Sequence, residues 1–278
     1  MNWKKLQNGS DIRGVALEGI EGEHVNLTPE VIETIAKSFV RWIRNNSDCE
    51  TPTIAVGMDC RLSGSSIKSA FVKGAVEAGA NVVDCGLAST PAMFMTTISE
   101  HVKATASVMV TASHLPFNRN GLKFFTPKGG LDSKDIASIL TIAENGEFAF
   151  EGEKGSSSTL DFMDIYSRHI ADYICEGVNA DDYQHPLKGM HIIVDAGNGN
   201  GGFFEKILSM LGADTKGSQF LDPDGRFPNH IPNPEDREAM ASVCKAVEES
   251  DADLGVIFDT DVDRSAIIGR KGEPINRN

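Results

Sequence analysis

A chain of 278 residues is too long for one ordinary core and suits two domains of roughly 100 to 150 residues each. Its 40% hydrophobic and 24% charged residues are those of a globular protein, and no apolar run approaches the roughly 20 residues that span a bilayer. A formal charge of −14 with no basic run works against nucleic acid and anionic lipid, so an anionic ligand would need a few arginines focused in one cleft.

In chain order, Pro29 to Asn46 opens with Thr-Pro-Glu and carries Val31, Ile35, Phe39 and Ile43 at helical spacing, which predicts an amphipathic helix capped by Thr28. Thr53 to Val56 reads as a strand, Ser66 to Ala78 as a helix, Asn81 to Cys85 as a strand and Pro91 to Ser99 as a helix. Ser107 to Val110 is a buried strand, and Leu122 to Phe125 is its return. Glu151 to Thr159 is polar and rich in Gly and Ser, as a linker or exposed loop should be. The alternation then restarts, with helices at Phe162 to Ile174, Phe203 to Leu211 and Ala239 to Glu249. The strands of this half are His191 to Asp195, Leu254 to Phe258 and Ser265 to Ile268. Strands alternating with helices imply βαβ units, a mostly parallel sheet and one α/β domain on each side of about residue 155. The N-terminus has two lysines with no apolar stretch behind them, so no signal peptide is readable. Cys49, Cys60, Cys85, Cys175 and Cys244 are scattered singly without C-x-x-C spacing, which points to reduced thiols in a cytoplasm rather than disulfides or zinc.

Two stretches carry chemistry. The first, T-A-S-H-L-P-F-N-R-N-G-L-K at 111–123, places Ser113 and His114 straight after an apolar strand and returns through Lys123. A turn alone needs none of the three. The second, F-D-T-D-V-D-R at 258–264, puts Asp259, Asp261 and Asp263 at alternate positions, on one face of an extended chain. Three converging carboxylates repel without a counterion, and an oxygen-only set suits a hard divalent cation, Mg²⁺ first. Arg264 adds a planar fork for phosphate oxygens. A solvated acidic loop would read the same way. An EF-hand is excluded, because its sixth and twelfth positions hold Arg264 and Arg270 instead of Gly and Glu. A haloacid-dehalogenase-type phosphatase also begins on an apolar strand and D-x-D, but that motif opens its domain and few residues follow here. Together the stretches suggest a serine carrying a phosphoryl group beside a cation, with His114 and Lys123 moving protons.

With these motifs the sequence resembles the α-D-phosphohexomutases, the phosphoglucomutase and phosphomannomutase superfamily. T-A-S-H-x-P-x-x-x-N-G-x-K and D-x-D-x-D-R resemble its signatures. D-I-R-G at 11–14, G-M-D-C-R-L-S-G at 57–64 and F-P-N-H-x-P-N-P-E at 227–235 resemble three more pieces, in family order. The resemblance implies two consecutive three-layer α/β/α domains with mixed, mostly parallel sheets. Residues 1–155 would form domain I with the phosphoserine loop, and 156–278 domain II with the metal-binding loop. The family's domains III and IV are absent from this chain, which implies a truncated enzyme that is inactive alone.

By the same resemblance Ser113 is the residue phosphorylated at rest, and Ser113, Asp259, Asp261 and Asp263 bind Mg²⁺. Arg13, His114 and Lys123 handle proton transfer and substrate orientation; Arg13, Ser113, Asp263 and Arg264 contact the substrate. Phosphate would move between O1 and O6 of a hexose through a hexose 1,6-bisphosphate intermediate, which also activates the enzyme. Glucose, mannose, glucosamine and N-acetylglucosamine phosphates all fit. The chain departs from the family at Leu115, which stands where Asn is common, and at Thr260, which stands where Gly is common; Thr260 therefore requires ordinary backbone angles.

Plainer readings stand beside these. Arg13 could simply pair with a carboxylate, Lys123 could be an exposed strand lysine, His114 a structural histidine, and Arg61 a brace for the domain. A two-domain binding module or inactive fragment is the alternative function. A third alternative rests on Gly197, Gly199 and Gly202, which form G-x-G-x-x-G between a strand and a helix with Asp222 beyond, as in a dinucleotide-binding oxidoreductase.

Overall fold

The computed structural model describes residues 1–276, which divide into two compact units, Met1–Phe162 and the part from Met163 onward. In the first unit, strands β1 (Gln7–Asn8) and β2 (Asp11–Val15) form a hairpin. Then come α1 (Pro29–Asn46), β3 (Thr53–Met58), α2 (Gly64–Glu77), β4 (Asn81–Leu87), α3 (Thr90–Met95), β5 (Ala106–Val110), β6 (Arg119–Thr126), β7 (Gly129–Gly130), α4 (Ser133–Asn145) and β8 (Ser157–Thr159). The sheet order is β1-β2-β6-β5-β3-β4-β8, with β7 paired to β6. Strands β5, β3, β4 and β8 run parallel, and β6 and β2 are antiparallel neighbours.

The two faces of the sheet differ in character. Ile12, Ile54, Val56, Val108, Val110, Leu122 and Phe124 project toward α1, α2 and α4, where Ile32, Ile35, Phe39 and Phe71 meet them. The Phe39 and Phe124 rings lie 4.6 Å apart. Each such side chain contributes about 1.5–3 kcal/mol on burial. Helix α1 forms where its spacing predicts: Thr28 accepts from the Val31 amide, and Pro29 occupies the first turn, where its missing N–H costs nothing. The opposite face carries Ala55, Ser107 and Met109, and α3 packs there, with the Ser107 hydroxyl donating to the Met93 carbonyl at 2.6 Å.

The second unit contains α5 (Phe162–Val178), β9 (Ile192–Asp195), α6 (Phe203–Met210), α7 (Arg237–Ser250), β10 (Leu254–Phe258), β11 (Ser265–Gly269) and β12 (Pro274–Asn276). The order is β12-β11-β10-β9; β9 and β10 are parallel and the other pairs antiparallel. Ile192, Val194 and Phe258 pack with Ala171, Ile207 and Leu208 of α5 and α6, while Ile193, Ile257 and Ile268 pack with Met240, Val243 and Val247 of α7. Each unit is thus helix, sheet and helix in three layers, the fold class anticipated.

The boundaries differ in places. The helix expected to reach Ser99 ends at Met95, and the polar stretch read as a linker contributes Ser157–Thr159 as an exposed edge strand on β4. Among the described residues all five cysteines are free thiols, and no helix is long and apolar enough to cross a membrane.

Candidate active-site loops

Ser113 follows β5 at a sharp turn. It is buried, 4% exposed, and sits at φ +54°, a left-handed conformation uncommon outside glycine. Local bonds hold it there. Its N–H donates to the Thr111 hydroxyl at 2.8 Å, and that hydroxyl donates to Asp59 Oδ2 at 2.7 Å. His114 Nδ1 lies 3.4 Å from Ser113 Oγ. Lys123 is on β6, in register with Met109 of β5, and is 9% exposed, so it is no surface lysine. Because Ile12 and Leu122 turn toward the core, their neighbours Arg13 and Lys123 share the opposite face. Gly121, paired with Arg13, explains the Asn-Gly of the motif: a Cβ there would lie 2.3 Å from the Ile12 carbonyl oxygen and 2.9 Å from Arg13 Cγ. Arg13 pairs with Asp11 at 2.8 Å, which is the plainer reading of that residue.

Arg61 lies against the serine loop. It is 2% exposed. One guanidinium nitrogen donates to the carbonyls of Pro116 at 2.8 Å and Arg119 at 3.1 Å. The other donates to Leu115 at 2.6 Å and to Ser113 itself. Its Nε lies 3.3 Å from Asp59 Oδ2, with both side chains fully buried. One fork therefore gathers four carbonyls of the serine loop, and Asp59 ties the same loop through Thr111. Leu115 contributes its backbone carbonyl to this arrangement. Arg61 braces, as its plainer reading held, and what it braces is the serine turn.

In the second unit, one carboxylate oxygen from each of Asp259, Asp261 and Asp263 lies within 4.8 Å of the others. Asp259 and Asp261 are fully buried and Asp263 is exposed. The Asp259 carboxyl is pushed up to about 7, first by burial and then by the Asp261 and Asp263 charges, against the lowering pull of Arg264. Its Oδ1 accepts the amides of Asp263 at 3.1 Å and Arg264 at 3.0 Å, and its Oδ2 meets Arg264 Nη2 at 2.9 Å. Oxygen-only donors, converging and short of positive charge, fit a hard divalent cation. Thr260 keeps an ordinary backbone, as expected; the left-handed residue of this loop is instead Val262, at φ +63°, although it too is β-branched. Strained residues thus occur in both motif loops, a pattern associated with functional sites.

The glycine-rich turn 197–202 is occupied by the protein itself. A Cβ on Gly199 would lie 2.8 Å from Thr260 Cα, on Gly201 2.9 Å from the Phe258 ring, and on Gly202 2.2 Å from the Leu221 carbonyl oxygen. The Asn200 amide donates to the Thr260 carbonyl at 2.9 Å. These glycines admit close packing of the acidic loop, where a dinucleotide fingerprint would open toward a pyrophosphate. Neighbouring His230 is buried, its Nε2 3.0 Å from Asp195 Oδ1. Burial lowers its pKa, but the hydrogen bond and charge of Asp195 outweigh that and leave the imidazole above its usual value. No periodicity connects these two residues, although His230 lies in a motif that sequence reading singled out.

Comparison with known proteins agrees with both units. Residues 4–150 match the family described as phosphoglucomutase/phosphomannomutase, alpha/beta/alpha domain I, and residues 164–272 match alpha/beta/alpha domain II. A phosphoglucomutase of Neisseria meningitidis serogroup B is 32% identical over 266 residues, covering 95% of this chain and 53% of that protein. A phosphomannomutase of Vibrio cholerae is 30% identical over 254 residues, covering 89% of this chain and 52% of that protein. The crystal structure of a phosphoglucomutase/phosphomannomutase family protein from Burkholderia thailandensis superposes with a TM-score of 0.76 at 27% identity, over 96% of this chain and 55% of that one. The chain spans about half the length of the curated relatives it matches.

Proposed function

The chain belongs to the phosphoglucomutase/phosphomannomutase family, and from that premise we propose that its two domains carry the phosphoryl-transfer chemistry of a phosphohexomutase. The carrying observation is Ser113, a buried serine in a left-handed turn whose backbone is fixed by Thr111 and by the Arg61 fork. A nucleophile that must meet both ends of a sugar bisphosphate benefits from a position set in advance.

Ser113 Oγ carries the phosphoryl group at rest. A hydroxyl of a hexose monophosphate attacks that phosphorus, the bond to Ser113 Oγ breaks, and the new ester makes a hexose 1,6-bisphosphate. His114 or Lys123 accepts the hydroxyl proton and supplies it to the departing Ser113 Oγ, which gives it up again on the return attack. After the bisphosphate turns over, Ser113 Oγ attacks its other phosphoryl group, and the leaving sugar oxygen takes the proton back. Phosphate has then moved between O1 and O6. Arg13, Asp263 and Arg264 contact the sugar phosphate. Asp259, Asp261, Asp263 and an oxygen of phospho-Ser113 would hold Mg²⁺, which when bound supplies charge neutralisation for the transferring phosphoryl group.

The test is intact-mass analysis after incubation with glucose 1,6-bisphosphate and Mg²⁺. The reading expects a gain of one phosphoryl group, lost in Ser113→Ala. A protein that gains no phosphate, or gains it equally in Ser113→Ala, contradicts the assignment.

A further inference from the structure

The run F-P-N-H-I-P-N-P-E, residues 227–235, has no role in the chemistry above. It lies in an irregular segment between the edge of β9 and α7. The segment leaves the sheet at Gln219, which bridges to Asp195, and returns at Asp236, which caps α7. On the way it passes through Phe220 at φ +53° and Phe227 at φ +49°, two bulky side chains in a left-handed conformation. Such strain persists only where the surroundings over-determine it.

The surroundings here are the glycine-rich turn and the acidic loop. Asn229 donates to Asn198 Oδ1 at 2.7 Å, and Asn198 donates to the Asp222 carbonyl at 2.9 Å. His230 grips Asp195, whose Oδ1 also accepts the Gly197 amide at 2.9 Å. Pro232 rests on Gly197, where a Cβ would lie 2.9 Å from Pro232 Cβ. That turn in turn supports Thr260 through Gly199 and the Asn200 amide. From the other side, Asn233 Oδ1 accepts Arg264 Nη1 at 3.3 Å and is itself fixed by the Glu235 amide at 3.1 Å. Arg264 then reaches Asp259 Oδ2. The acidic loop is held at Thr260 and at Arg264, and both holds run back to this segment.

We infer that residues 219–236 form a strap that positions the Asp259–Asp263 loop, with Asn233 setting the Arg264 fork and His230 setting the turn under Thr260. These are positioning residues, and their effect on cation affinity rests on the proposed cation site. Outer partners of metal ligands typically change affinity by about 10- to 100-fold when removed.

The test uses Asn233→Leu, which keeps the shape but removes the acceptor, Asn233→Asp, which restores an acceptor oxygen, and His230→Gln, which keeps a donor to Asp195. Two measurements are made on each. The first is amide hydrogen exchange at Asp263 and Arg264, both donors to Asp259 Oδ1, relative to Ile257 in β10. The second is Mn²⁺ affinity by electron paramagnetic resonance. Asn233→Leu should speed exchange at 263 and 264 while Ile257 keeps its rate, and should weaken Mn²⁺ binding about tenfold. Asn233→Asp should return exchange toward the parent, and His230→Gln should fall between. Exchange that rises uniformly through the unit, or not at all at 263 and 264, overturns the strap, because it then contributes stability alone. If the parent binds no Mn²⁺ while the local exchange effect is present, the cation reading fails and the strap stands.

Discussion

Replacing Arg61 with Met keeps most of the side chain's volume and removes its charge and its fork. The substitution leaves Asp59 buried without its ion-pair partner and strips donors from the carbonyls of Ser113, Leu115, Pro116 and Arg119. Breaking a fully buried pair from one side costs about 3–5 kcal/mol. That is a large share of the roughly 5–15 kcal/mol that holds a domain together. Arg61→Lys keeps a charge near Asp59 but cannot reach four carbonyls, so a smaller loss of about 1.5–3 kcal/mol is expected, the worth of a charged hydrogen bond. Asp59→Asn combined with Arg61→Met should cost less than the two single losses summed, since neither charge is then left alone. The chain's two tryptophans, Trp3 and Trp42, both lie in the first unit, so urea unfolding followed by tryptophan fluorescence reports that unit alone. A second readout is the rate at which Ser113 takes phosphate under conditions where the variant is still folded; Arg61→Met should slow it and Arg61→Lys should partly restore it. If Arg61→Met unfolds within about 0.5 kcal/mol of the parent, the scatter of surface substitutions, Arg61 does not clamp the serine loop.

Other expectations concern the second unit. His230 has a raised folded value, so its pairing with Asp195 adds stability that is fully present below about pH 6.5 and is lost as pH rises through the folded value. The stability difference between the parent and His230→Gln, read by urea unfolding of the second unit with NMR, should shrink as pH rises to about 8; a difference that grows with pH refutes the pairing. Asp259 is raised to about 7, so without a cation its proton favours folding at low pH, and that contribution fades as pH passes upward through 7. A divalent ion would replace the proton. Mg²⁺ against EDTA should therefore raise the melting temperature more at about pH 8 than at about pH 5.5, and an equal or reversed effect by calorimetry speaks against an ion at this loop.

How much of this was readable from the residues depends on the kind of contact. Helix α1 was legible to the residue because a cap, a proline and an apolar stripe all act locally. Helix α4 passed unread although its signals are present: Asp132 and Asp135 form a reciprocal capping box before Ile136, Ile139 and Leu140. A capping box built on Asp in place of Glu or Gln is an easily missed form. Strand β2 went unread because five residues carrying an Asp, an Arg and a Gly offer little alternation. The acidic trio converges as expected but not on an extended chain: residues 259–264 turn between β10 and β11, with the Val262 amide on the Asp259 carbonyl, and that turn gathers the three carboxylates. The clamp was not legible, because Arg61 acts on main-chain carbonyls, which no side-chain pattern announces. The pairing of His230 with Asp195 spans 35 residues, and the strain at Val262 follows from packing that a β-branched residue would not suggest.

The central proposal is that an oxygen on phospho-Ser113 and the Asp259, Asp261 and Asp263 carboxylates would hold one cation together. Phosphorus NMR of the Ser113-phosphorylated protein, titrated with paramagnetic Mn²⁺, reads that meeting directly. The account predicts that the phosphoserine resonance broadens beyond detection at stoichiometric Mn²⁺ and stays sharp in Asp261→Asn. A resonance that remains sharp in the parent while Mn²⁺ occupies the acidic loop would contradict it.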